Sequence, residues 1–184
     1  DNEDLFNKAK EIVWDDVIGL RCSGGREFIY VKDIIFPDAS ILEKKKIEEE
    51  IYALFISDIH AGSKFFLEKN FMKFINWING VGLSDSEREK VKKIKYIFVV
   101  GDNVDGVGVY PGQESLLEIK DMAGQYKKLA EFFHMIPEDI SIIMCPGQHD
   151  SVRVPEPQPP ISEDFAEELS KMKNVYLVSS PSLI

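Results

Sequence analysis

The chain has 184 residues, 44% of them hydrophobic, and a formal net charge of -10 from 22 basic and 32 acidic side chains. That length and apolar content suit one packed domain of ordinary size with some chain to spare. The acidity argues against a broad basic surface that holds a polyanion by neutralising its phosphates, leaving divalent cations to supply the missing positive charge.

No run of about 18 apolar residues exists, so no membrane span and no membrane partner are expected. The opening DNEDLFNKAK has neither the basic region nor the apolar block of a secretory signal, which points to a cytoplasmic protein. Cys22 and Cys145 are too few and too far apart for a disulfide framework and are read as reduced thiols, Cys145 as core.

Residues 1–38 predict a short helix near Leu5 to Val13. A hairpin follows, its turn at Gly24 and Gly25 lying between two strand-like runs. Too little chain precedes residue 38 for a complete β-barrel, so this reads as the tail of one. Residues 39–50, rich in Lys and Glu, read as a solvated connector.

The run from Tyr52 to His60, YALFISDIH, is an apolar strand ending in an acid and an imidazole. Next, Phe71, Phe74, Ile75 and Ile78 keep the i, i+3, i+4, i+7 spacing of an amphipathic helix, which Gly80 and Gly82 stop. Its aromatic stripe reads as core. The charged SDSEREKVKK returns the chain to IKYIFVV, whose continuous apolar run predicts a strand covered on both faces.

A helix is expected over roughly Ser115 to Met135, with Leu116, Ile119, Ala123, Tyr126, Ala130 and Phe133 on one face and Pro137 as its stop. His134, near that helix end, reads as surface rather than as a ligand. The strand ISIIMC, the loop PGQHD and the irregular PEPQPP follow. Ser162 is expected to cap a last helix over SEDFAEELSKM, and VYLVS is a fourth strand. The alternation of strands and helices predicts an α/β fold.

Three strand ends in this order would converge at one edge of a parallel sheet, where ligands gather. They carry Asp58, His60, Asp102, Asp105, Gln148, His149 and Asp150. Carboxylates, imidazoles and an amide oxygen from separate segments suit hard divalent ions, and the cluster reads as a two-metal phosphoesterase site.

The motifs DIH, GDNVD and GQHD resemble the signature of the calcineurin-like metallophosphoesterases. That resemblance implies an α/β β-sandwich flanked by helices. The continuations GDNVDGVGVYPGQE, DMAGQYKKLAEFF and PGQHDSVRVPEPQPP are similar to the small subunits of archaeal family-D DNA polymerases, relatives of the eukaryotic polymerase B-subunits. In those subunits an oligonucleotide-binding (OB) barrel precedes the phosphoesterase domain. The resemblance therefore implies the tail of an OB-fold in residues 1–38 and the N-terminal part of the phosphoesterase domain in residues 51–184.

The implied activity is 3′ to 5′ exonuclease proofreading with two divalent ions, Mn2+ or Mg2+. The implied partners are the large catalytic polymerase subunit, in a heterodimer, a DNA 3′ end and a sliding clamp. Asp58 and His60 would hold one ion, Asp102 would bridge both, Gln148 would bind the second, and His149 would protonate or stabilise the leaving oxygen. Asp105 and Asp150 would either orient ligands by hydrogen bonding or cap local backbone amides. Arg153 would contact substrate phosphate, whereas Lys64 reads as solvated surface.

Gln148 stands where the family usually has Asn. The family's further metal-binding histidines, in downstream G-H and G-H-x-H segments, have no counterpart after His149. These 184 residues are thus expected to be an inactive part of a larger subunit. A scaffold subunit that has lost the chemistry, or another calcineurin-like hydrolase, is the alternative.

Overall fold

The structure is a computed structural model and describes residues 3–37 and 45–184. The chain divides into two units, Asp1–Ile47 and Glu48–Ile184. Residue 38 and half of the expected connector, residues 39–44, lie outside the described residues, and residues 45–50 form neither helix nor strand.

In the first unit helix α1 spans Glu3–Lys10, and strands β1 (Gly19–Gly24) and β2 (Ile29–Ile35) pair antiparallel. The hairpin turn lies where two glycines break the apolar runs, and Gly25 N donates to Phe28 O at 3.1 Å across it. A bulge falls between Arg21 and Cys22. Lys8 reaches from α1 to Asp33 on β2 at 2.9 Å. The helix ends before the expected Val13, and Trp14 beyond it is almost fully exposed.

The second unit is an α/β layer built on one four-stranded sheet. Its strands, β3 (Tyr52–Ile56), β4 (Ile94–Val100), β5 (Ser141–Cys145) and β6 (Val175–Leu177), lie side by side in chain order and all run parallel. Helices α2 (Glu68–Ile78), α3 (Asp85–Val91), α4 (Met122–Phe133) and α5 (Glu167–Ser170) lie in the connections. Parallel pairing requires such crossovers, which bring all the strand ends to the same edge.

Register sorts the strand residues into rows. Leu54, Ile97, Ile142 and Val175 form one row and Ile56, Val99, Met144 and Leu177 another. Both belong to the core with Ile75 and Ile78 of α2 and Tyr126, Leu129, Phe132 and Phe133 of α4. The intervening row, Phe55, Phe98, Ile143 and Tyr176, points to the other face. There the Phe55 and Phe98 rings stack at 4.8 Å, and Phe55, Tyr96, Val100 and Tyr176 are exposed. The expectation that IKYIFVV is covered on both faces is therefore corrected: among the described residues helices cover one face only.

Three helix expectations also change. The charged stretch before β4 forms α3, because Ser84 and Glu87 close a reciprocal cap, each accepting from the other's backbone. Helix α4 starts at Met122 rather than Ser115. Asp121 caps it through a 2.7 Å bond from Gly124 N, while Glu118 N and Ile119 N donate to Gly62 O at 2.8 and 3.1 Å. Residues 118 and 119 are thus tied to another loop, and Ala123, expected on the buried face, is exposed. Ser162 caps only a turn: its Oγ accepts from Asp164 N at 3.2 Å, and the helix after it is the short α5.

Leu129 is fully buried between α4 and the sheet. Leu129→Ala is expected to destabilise the second unit by about 3 kcal/mol, measured as a lower urea midpoint.

Candidate metal centre

The β3 and β4 ladder does not stop where the strands do. Asp58 N donates to Gly101 O at 3.2 Å, His60 N to Asp102 O at 3.1 Å and Ala61 N to Asn103 O at 3.2 Å, and Asp105 N donates back to Ala61 O at 3.1 Å. Two motif loops are thereby locked in register beyond the sheet. Asp58, His60 and Asp102 take left-handed backbone conformations, with φ of 54°, 50° and 49°. Such conformations cost of order 1 kcal/mol each and persist only where surrounding bonds enforce them.

The result is two overlapping donor groups. Asp58, His60 and Asp102 form one, and His60, Asp105 and His149 the other, with the donor atoms of each group within 4.8 Å of one another. His60 belongs to both. Asp105 is buried and sets the imidazoles: its Oδ1 lies 3.0 Å from His60 Nδ1 and its carbonyl oxygen 2.7 Å from His149 Nδ1. A carboxylate and a carbonyl oxygen only accept, so each Nδ1 carries a proton, and in the neutral ring the lone pair is then on Nε2. The two rings meet edge to face at 4.6 Å.

The third loop is joined by Asp150. Its Oδ2 accepts from Gly147 N at 2.8 Å, Asn103 Nδ2 at 2.9 Å and Asn103 N at 3.2 Å, and its Oδ1 accepts from the Tyr126 hydroxyl at 2.8 Å. Burial raises the Asp150 carboxyl above its ordinary range, although each of these bonds pulls it down. Burial and the adjoining carboxylate push the Tyr126 phenol well up. His149 N then donates to Asp102 Oδ1 at 3.0 Å, which ties the third loop to the second.

Close approach makes glycine necessary here. A Cβ on Gly147 would lie 2.3 Å from both Asp102 N and Asp102 Oδ1. A Cβ on Gly106 would lie 2.5 Å from His149 O, and Gly106 itself has φ of 78°.

Gln148 is exposed and lines a polar depression with Asp58 and Asp102. Asp58 also borders an apolar groove that contains His60, Asp105 and His149. Among the described residues, no Lys or Arg lines either depression. Arg153 is exposed and borders neither; its Nε donates to Pro157 O at 2.8 Å. Lys64 donates to Ser115 O at 2.9 Å, and His134 is an exposed residue at the end of α4, outside both donor groups. Cys145 is half-buried at the polar depression rather than in the core, its thiol pushed up by burial, and it and Cys22 are free thiols.

Sequence reasoning missed the residues that brace these loops. Gln113 is buried, donates to Asp105 O at 2.7 Å and accepts from Val109 N at 2.9 Å. Gln125 bonds both N and O of Gly106, and Gln158 donates to Gly147 O at 3.2 Å. Tyr126 was counted only for its apolar ring. The available signal was position: Gln113 lies in VYPGQE, Gln125 one residue before Tyr126, and Gln158 in the proline-rich stretch.

This geometry has a matching family: the sequence model of the calcineurin-like phosphoesterases covers residues 51–181. The chain belongs to that family. Calcineurin-like phosphoesterases use divalent metal ions, and the group of Asp58, His60 and Asp102 fits such an ion, since two acids and an imidazole converge where, among the described residues, no Lys or Arg lines the depressions.

The whole chain is 42% identical to a DNA polymerase II small subunit of Methanothermobacter thermautotrophicus, covering 38% of that protein. Over 93% of its length it is 47% identical to the subunit of the same name from Methanocaldococcus jannaschii, covering 29% of it. The Pyrococcus horikoshii subunit is 40% identical over the whole chain, which covers 30% of it. The chain spans about a third of the length of these relatives. No helix among the described residues is long and apolar enough to cross a membrane.

Asp150→Ala is expected to cost roughly 3 kcal/mol in urea unfolding, because the Tyr126 hydroxyl and the amides of Asn103 and Gly147 would lose a buried acceptor. Gly147→Ala is expected to displace the Asp102 carboxylate and weaken Mn2+ binding by calorimetry at least about tenfold.

Proposed function

We propose that this chain is the phosphodiester-cleaving part of a DNA polymerase small subunit, a 3′ to 5′ exonuclease that removes mispaired ends. The observation that carries the reading is the pair of donor groups sharing His60, with Asp58 and Asp102 in one and His149 in the other. The likeness to archaeal DNA polymerase II small subunits supports DNA as substrate.

Asp58, His60 and Asp102 would hold one ion. Asp102 would extend to a second together with the amide oxygen of Gln148, a residue that borders the same depression. When bound, two divalent ions, Mn2+ or Mg2+, supply a Lewis-acid grip on phosphate oxygens and ease deprotonation of an attacking water.

The protein's own contribution is orientation. Asp105 fixes the His60 ring so that Nε2 faces outward as a ligand. The same residue's carbonyl accepts from His149 Nδ1, and the ring, once protonated at Nε2, would give that proton to the departing oxygen. Asp150 keeps the second and third loops together. Arg153, turned onto the Pro157 carbonyl, would have to leave that bond to reach a substrate phosphate.

Within the whole subunit, residues 1–38 would close an OB barrel and residues 51–184 would form the first part of the phosphoesterase domain. The subunit would pair with a large polymerase subunit, with a sliding clamp as a further partner, in the cytoplasm. A scaffold role without chemistry is the second reading. The presence of Asp58, His60, Asp102 and His149 together favours the enzyme, since a scaffold has no need of these donors.

In the full-length subunit with Mn2+, Asp102→Ala is expected to slow removal of a 3′-mismatched nucleotide at least about a hundredfold while the circular-dichroism melt stays within a few degrees. Unchanged degradation by that variant would refute the catalytic assignment.

A further inference from the structure

Resting on that reading, we infer that the apolar groove beside the metal centre is a subsite for one unpaired nucleobase, that of the terminal nucleotide whose phosphate lies on the donor groups. The groove, of about 700 Å³, is continuous with the centre, since Asp58, His60, Asp105 and His149 form part of its wall. Two of its lining rings are packed, Phe66 and Phe71 lying 5.5 and 5.3 Å from the buried Phe132. Two others are open to solvent. Phe65 is 71% exposed and Tyr110 is 42% exposed, and the Tyr110 ring stands 6.4 Å from the His149 ring.

Charge and shape select the occupant. Among the described residues no Lys or Arg lines the groove, so these offer nothing to a second phosphate of the backbone. What it offers is flat apolar area close to a phosphate position, and a nucleotide presents such a surface in its base. A paired terminal base is held in the helix by its partner, whereas a mispaired or frayed one costs little to swing out and lay a face on Phe65. The site would thus distinguish a mispaired end from a paired one by the lower cost of drawing its base out of the helix, whatever that base is.

The test uses the full-length subunit with Mn2+ and two single-stranded oligonucleotides that differ only in the 3′-terminal residue, one normal and one an abasic sugar. The expected result is a KM about tenfold higher for the abasic end. Phe65→Ala is expected to raise the KM of the normal end to the abasic value, and Phe65→Trp to keep the original difference. With Ca2+ in place of Mn2+, a terminal 2-aminopurine is expected to lose fluorescence on binding the parent protein and to keep it with Phe65→Ala. Equal KM values for the two ends in the parent, both being hydrolysed, would overturn the subsite and leave the phosphodiesterase reading intact. Failure of the parent to hydrolyse any oligonucleotide would overturn that reading, and the subsite with it.

Discussion

The buried carboxylate of Asp150 is the contact on which the arrangement of the centre depends. Its two oxygens collect donors from the second loop, the third loop and helix α4, and none of the three is adjacent in sequence to another. Burial makes the charge expensive, as the raised carboxyl indicates, and only an acceptor with this many donors around it is tolerated at such a place. The linkage has a definite sign. Folding raises this pKa, so the stability that the group contributes is greatest below the ordinary carboxylate range and declines as pH rises through the raised value.

Around that anchor the donors are oriented from behind. Asp105 addresses one histidine with its side chain and the other with its carbonyl, and Gln113 in turn holds that carbonyl. Buried amides of Gln125 and Gln158 brace the second and third loops in the same manner. Each brace uses a side chain that can donate and accept at once, which suits loops whose backbone groups have no strand partner.

Much of this was legible from residues alone, for a physical reason: an apolar run that ends in acids and histidines reads as a buried strand feeding a loop, and DIH, GDNVD and PGQHD did form one edge of a parallel sheet. Periodicity failed where a competing bond intervened. Leu116 and Ile119 fit the helical phase of α4, yet residues 118 and 119 are tied to the Gly62 carbonyl. The charge of α3 concealed a helix held by its capping box. The apolar run of β4 gave no sign that Tyr96 and Phe98 would lie on an uncovered face, since a strand covered on one side and a strand covered on both can share one composition. The bracing glutamines were invisible because their partners are backbone groups of distant loops.

The left-handed backbone at Asp58, His60 and Asp102 bears on how such a domain changes over evolutionary time. Asp, Asn and His are the non-glycine residues that adopt this conformation most readily, so the backbone at these positions accepts Asn as well as a metal ligand and resists β-branched replacements. A lineage can therefore shed its chemistry by single Asp-to-Asn steps while the loops keep their shape. In a fold of this kind the loss of catalysis and the loss of architecture are separable events, and a silent domain can remain in service as a building block.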